Sequence, residues 1–137
     1  MPSVFFTTGA LKQAATIQTA YANLKIRLFQ VGAITLTPAT PIADLEALEA
    51  DYTGYVEATV VAMLGPFLAP GSGALIQTPL VVFEPDAPFT ITNSIMGWWA
   101  EDAAGVLICG ATYPEPIPME GAGNVAQVSF ALPFGPN

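Results

Sequence analysis

The run Ile95-Met-Gly-Trp-Trp-Ala-Glu-Asp-Ala-Ala-Gly-Val-Leu-Ile-Cys109 constrains the fold of this chain most strongly. Two apolar stretches flank a short acidic and small-residue turn, Glu101 to Ala104, and that arrangement predicts a β-hairpin. We expect one arm over Phe89 to Ala100 and the other over Gly105 to Tyr113. Trp98 and Trp99 are consecutive, so in a strand their rings point to opposite faces. One ring then belongs to the core. The other is expected to be exposed, free to stack on sugar or on a partner, and a subunit interface is the favoured use because large aromatics dominate interface energetics.

The rest of the chain reads mostly as strand. Leu24, Ile26 and Leu28 alternate with Lys25, Arg27 and Phe29, the clearest period-two pattern present. Tyr55 to Leu64 carries the β-branched Thr59, Val60 and Val61. Leu75 to Phe83 is interrupted by Pro79, which argues for an edge or a bulge. In Val125 to Leu132, Ala126, Val128, Phe130 and Leu132 alternate with Val125, Gln127, Ser129 and Ala131. Before these, Thr8 can cap a helix from Gly9 to Thr19, with Leu11, Ala14, Ala15 and Gln18 on one face. Ala43 to Ala50 favours a helical turn. Gly65 to Gly73 is read as a loop that exposes Phe67 and Leu68. Pro114, Pro116 and Pro118 are read as an extended connection. Some seven strands with frequent turns predict an all-β fold, an antiparallel β-sandwich or jelly roll with one short N-terminal helix. Length predicts one domain over residues 1–137.

Composition adds mainly exclusions. The net charge is −8 with three basic residues. Lys12, Lys25 and Arg27 cannot assemble a phosphate-binding patch, which argues against nucleic acid as a partner. Without histidine there is no Ser-His-Asp triad and no His-activated cysteine. Zinc ligands are lacking, and the Gly71-Ser-Gly73 and Gly121-Ala-Gly123 stretches do not match a phosphate loop. Cys109 reads as a small buried hydrophobe. Asp44, Glu46 and Glu49 read as a solvated face rather than a calcium site. Glu57, Glu84, Glu101 and Asp102 read as solvated acids on the rim rather than a glycosidase pair. We therefore expect no enzyme activity, no cofactor and no metal. No apolar run is long enough for a transmembrane helix, and the N-terminus lacks a signal-peptide layout, so synthesis in a reducing cytoplasm and no membrane partner are expected.

Hydrophobic residues make up 53% of the chain and charged ones 10%, against about a quarter charged in an average soluble domain. The surplus of apolar side chains predicts burial against other copies or a partner. Phe67, Leu68, Trp98, Trp99 and Phe134 are the candidate interface residues, and a homotrimer is the expected assembly. Pro2 to Thr8 is a candidate arm for a neighbour's sheet edge, or a strand of its own sheet.

Three stretches resemble a family of small proteins encoded by tailed phages and prophages. They are the opening helix with Asn23-Leu-Lys-Ile-Arg-Leu-Phe29; Leu36-Thr-Pro-Ala-Thr-Pro-Ile-Ala-Asp-Leu45 with Glu49-Ala-Asp-Tyr-Thr-Gly-Tyr55; and Ile95-Met-Gly-Trp-Trp99 through Tyr113-Pro-Glu-Pro-Ile-Pro-Met119. The resemblance implies a virion structural role, with capsid decoration (cement) on the major capsid protein as the expected function. A tail or fibre module that binds host-surface glycan is the alternative. The resemblance supplies no catalytic motif.

Overall fold

The computed structural model describes residues 7–52, 54–69, 73–85, 94–119 and 124–135. Within them the chain forms, in order, α1 (Thr7–Ala20), β1 (Leu24–Gln30), α2 (Ile42–Glu46), β2 (Ala58–Val60), β3 (Leu64–Leu68), β4 (Ala74–Gln77), β5 (Val81–Phe83), β6 (Ile95–Glu101), β7 (Leu107–Ile117), β8 (Ala126–Val128) and β9 (Ala131–Phe134). The molecule is mostly antiparallel β with a helix near its N-terminus. Its strands form three sheets, ordered β2-β1-β6-β7, β3-β4-β9 and β5-β8.

Helix α1 covers the Gly9 to Thr19 span expected from sequence and extends it at both ends. Its Ala, Leu, Gln and Lys content favours helix. Asn23 adopts a φ of 60° just past its end, a left-handed conformation that Asn tolerates and that stops helical propagation. The chain then enters β1, whose buried Leu24, Ile26 and Leu28 keep the expected alternation.

The β6–β7 hairpin forms in the expected place. The Asp102 carboxylate accepts hydrogen bonds from the Ala104 and Val106 amides, both at 2.9 Å. The same turn needs a φ of +87° at Gly105, open to glycine without steric cost. Glycine matters again at Gly97, which pairs with Phe29 across the strands. A Cβ at Gly97 would collide with the Phe29 ring and the Ala111 carbonyl. The missing side chain leaves room for that ring beside Gly97.

The structure redraws four expected elements. The strand expected over Tyr55 to Leu64 is cut to β2, because the chain bends after Val60, where the Val61 carbonyl accepts from the Asn23 amide at 3.1 Å. The expected Gly65 to Gly73 loop instead begins within β3, which pairs with β4 through Phe67 and Leu68. The expected proline connection is the far end of β7, which contains Pro114 and Pro116. Strand β7 is an edge, where a missing N–H costs no ladder bond on the open side. The strand over Val125 to Leu132 is split into β8 and β9 in different sheets. Pro79 likewise separates β4 from β5. Thr78, Pro79 and Leu80 on one segment lie across from Ser129 and Phe130 on the other. The Thr78 amide donates to the Phe130 carbonyl at 2.9 Å, and the Phe130 amide donates to the Thr78 hydroxyl at 3.0 Å. This three-against-two mismatch acts as a bulge that redirects both segments from one sheet to another.

The main core gathers Leu24, Ile26 and Leu28 of β1, Trp98 and Ala100 of β6, Ile76 of β4, Phe83 of β5, Val128 of β8, and Ala10 and Ala14 of α1. A second, smaller core lies on the opposite side of β1 and β6. It holds Phe29, Trp99 and Leu45, packed by Ile34, Leu36, Leu48, Met96 and Leu107. The segment containing α2 thus covers the outer side of the four-stranded sheet.

Candidate interaction surface

Both tryptophans are core residues. Trp98 is 9% exposed and Trp99 fully buried. They point to opposite faces as expected, but the expected outward ring does not exist. Strand β6 is central, and its sheet is covered on both sides. Trp98 stacks on Phe130 at 5.4 Å between ring centroids. Trp99 packs in the smaller core beside Phe29. Phe134 faces inward too, on the same side of the sheet as its cross-strand partner Ala74. Phe67 and Leu68 alone of the five candidates are exposed, at 44% and 70%. The arm proposed for Pro2 to Thr8 lies outside the described residues except for Thr7 and Thr8, which begin α1.

The acids divide in a way that residue types did not reveal. Asp44, Glu46 and Glu84 are exposed. Glu49 leaves the expected solvated face, and Glu57 and Glu101 leave the expected rim, because all three surround Arg27. The Arg27 guanidinium meets Glu49 at 3.1 Å, Glu57 at 2.6 Å and Glu101 at 3.0 Å. Lys25 adds a looser contact to Glu57 at 3.9 Å. Glu101 is 5% exposed. Burial works against the charge on Arg27, but the hydrogen bond to Glu49 and the fields of Glu49, Glu101 and Glu57 outweigh it, and its pKa is raised. The Tyr55 hydroxyl donates to Glu49 at 2.7 Å and accepts from the Leu28 amide at 3.3 Å. Burial raises the Tyr55 pKa, with the hydrogen bond to Glu49 adding to the effect. Two of the three cations in the chain are committed to this cluster. It ties β1, β6 and the 49–57 segment together as an internal fastener.

The region of Phe67 and Leu68 is the opposite. No Asp, Glu, Lys or Arg occurs between Glu57 and Glu84, nor after Glu120. These spans supply β2 to β5, β8 and β9, so the three-stranded and two-stranded sheets carry no charge. Nine large apolar residues are exposed among the described residues, and six of them fall between Glu57 and Glu84. They are Val61, Leu64, Phe67, Leu68, Leu80 and Val82. The charge-free span was readable in the sequence, but it becomes informative only once the structure shows that its apolar residues face outward.

Register defines one continuous face. In β3-β4-β9 the inner side carries Ala74 and Ile76, both fully buried. The outer side carries two cross-strand rows, Leu64–Gln77–Ala131 and Phe67–Leu75–Pro133. A bulge between Leu64 and Phe67 puts both on this side. The face runs on into a shallow depression of about 490 Å³ shared by Leu64, Leu80, Phe130 and Ala131. Helix α1 reaches the start of β3. Gln18 of α1 donates to the Met63 and Gly65 carbonyls at 2.7 and 2.9 Å, and Pro66 has no amide to offer.

A second depression of about 350 Å³ lies between the Leu36 to Leu45 segment and β7, lined by Thr37, Thr40, Leu107 and Cys109 among others. Burial pushes the Cys109 thiol up to about 11, which leaves little thiolate at neutral pH. Among the described residues, no group of three or more His, Cys, Asp or Glu could hold a metal ion. Comparison with protein-family models, curated proteins and solved structures returned no match.

Proposed function

We propose that this chain is a structural protein of a tailed-phage or prophage virion, a β-sandwich that decorates the outer capsid as a homotrimer and stabilises it without catalysis. In this reading the four-stranded sheet forms one layer, and the three-stranded and two-stranded sheets form the other, with a jelly-roll-like path between them. The observation that carries the reading is the charge-free pair of sheets, whose exposed apolar side chains favour a covering surface over water. The three sequence stretches that resemble phage proteins supply the setting. A decoration protein needs a fitted footprint and a stable body. Binding that prefers the assembled shell stabilises that shell by mass action. The acidity of the remaining surface keeps decorated particles apart through repulsion.

The alternative, a glycan-binding tail module, loses its best argument with the burial of Trp98 and Trp99, because no paired indole platform faces solvent. Purified particles test the proposal. Reconstruction is expected to place many copies on the shell, and particles stripped of the protein are expected to release their genome at a lower temperature. A few copies at the tail, with unchanged thermal release, would replace the capsid reading with the tail reading.

A further inference from the structure

We infer that the segment from Gly32 to Leu48 is a strap over a binding site for a small uncharged molecule, mostly apolar and carrying one hydrogen-bond acceptor, which the Trp99 indole holds. The inference does not depend on the virion reading.

The first observation is an unmet donor. Trp99 is fully buried. Among the described residues, its indole Nε1 is the one buried side-chain polar atom without a hydrogen-bond partner. Buried polar groups are nearly always paired, because a donor taken out of water without a new partner costs stability. Other donors in this fold are met. The Tyr55 hydroxyl donates to Glu49, and the Tyr113 hydroxyl donates to the Gln127 carbonyl.

The second observation is an uncharged depression beside that ring. The depression between the strap and β7 measures about 350 Å³. That lies at the small end of the range of about 300–1,000 Å³ in which organic ligands bind. Leu36, Leu45 and Leu107 line it and also belong to the smaller core around Trp99. Gly110, the cross-strand neighbour of Trp99, forms part of the same wall, and a Cβ there would stand 3.3 Å from the Trp99 Cβ. No Asp, Glu, Lys or Arg is among the described residues that line it, and the Cys109 thiol is held neutral by burial. An ion would lose its hydration there without gaining a counter-charge, so the lining selects a neutral molecule.

The third observation is how the strap is attached. Its ends are hydrogen-bonded in place. The Gln30 amide donates to the Leu48 carbonyl at 2.7 Å, the Ala50 amide to the Leu28 carbonyl at 2.9 Å and the Val31 amide to the Ser94 carbonyl at 3.0 Å. Leu48 also packs on Gly32, where a Cβ would come within 2.8 Å of both Leu48 methyl groups. Among the described residues, the hydrogen bonds from Ile34 to Ala47 stay inside the strap. Thr37 and Thr40 bond each other, and α2 turns on itself from Pro41 to Ala47. The middle of the strap rests on the sheet through apolar side chains, Ile34, Leu36 and Leu45 among them. Lifting it costs apolar contact rather than hydrogen bonds to the sheet. Leu36 and Leu45 belong to the strap, so their displacement joins the depression to the ring. A ligand that replaces their contacts and accepts from Nε1 favours the lifted state by that difference in affinity.

Prodan, a neutral naphthyl ketone, and its analogue lacking the propionyl group test this by fluorescence titration of the full chain. Prodan is expected to bind saturably, one per chain, with blue-shifted emission, and to slow the reaction of Cys109 with N-ethylmaleimide. Trp99→Phe should bind Prodan about three- to tenfold more weakly, the worth of one hydrogen bond, while its affinity for the analogue stays the same. Phe67→Ser, on the uncovered sheet, should change neither. Should Trp99→Phe fail to fold, protection of Cys109 in the wild-type chain decides. Absence of saturable binding, an unprotected Cys109, or equal loss of both probes in Trp99→Phe would each overturn the inference. Unchanged Prodan binding in Trp99→Phe would assign the indole to a bound water and overturn it too. Loss of binding in Phe67→Ser would move the probe to the uncovered sheet, with the same result.

Discussion

The two outer sheet faces of this molecule solve the same problem in opposite ways. The four-stranded sheet has apolar residues on its outer side, Phe29 and Trp99, and the chain covers them with its own segment through Ile34, Leu36, Leu45 and Leu48. Beside that cover, Arg27 gathers Glu49, Glu57 and Glu101. The three-stranded sheet has Leu64, Phe67 and Leu75 on its outer side and no cover among the described residues. One apolar face is covered by the chain's own segment, and the other keeps Leu64 and Phe67 exposed to solvent. The difference also explains the charge distribution. Charges cluster where the chain fastens itself and are absent from the uncovered sheet.

The largest expected effect comes from breaking the covered face. Trp99→Ala should destabilise the fold by about 3–5 kcal/mol, because it empties a fully buried ring site that the segment above cannot refill. Chemical denaturation monitored by far-ultraviolet circular dichroism measures it. A loss below about 1 kcal/mol would mean that the outer segment does not hold the ring.

Arg27→Met should cost about 3 kcal/mol, since it leaves Glu49, Glu57 and nearly buried Glu101 with only the distant Lys25 as counter-charge. Adding Glu101→Gln should restore part of that loss by removing the most buried of the three charges, a coupling readable from the double-mutant cycle. Equal and additive losses would show that the cluster is no fastener.

The smallest effect belongs to the uncovered face. Phe67→Ser should change the stability of the separated chain by no more than about 0.5 kcal/mol, as expected for an exposed position away from the core. A loss as large as that of Trp99→Ala would show that Phe67 is packed within its own chain and would erase the contrast.

The strand pattern was legible in the sequence wherever one side of a strand meets the core and the other meets water. The β8–β9 stretch shows that alternation directly, and β1 shows it over Leu24 to Leu28, where Lys25 and Arg27 stay partly exposed. The β6–β7 hairpin was legible from its turn, because Asp102 and Gly105 supply the hydrogen bonds and the positive φ. β6 misled for a physical reason. A strand covered on both sides has no wet face, so adjacent tryptophans do not reveal that both rings are buried. The Arg27 cluster was hidden because its carboxylates come from distant parts of the chain, and only folding makes their convergence visible. Leu64 and Phe67 share a face through a bulge that no periodicity reports. Residues Phe89 to Asn93, the first part of the expected hairpin arm, lie outside the described residues.

The mismatch of Thr78, Pro79 and Leu80 against Ser129 and Phe130 has a consequence for how the molecule comes apart. Because one pair of segments serves two sheets, strands β4 and β9 continue into β5 and β8 through the hydrogen bonds at Thr78 and Phe130. Neither sheet has a private boundary there. Fraying that starts at β5–β8 reaches the bend and loads the strands behind the uncharged face. The two sheets are therefore expected to open as one cooperative unit, with amide protection that rises and falls together in hydrogen exchange.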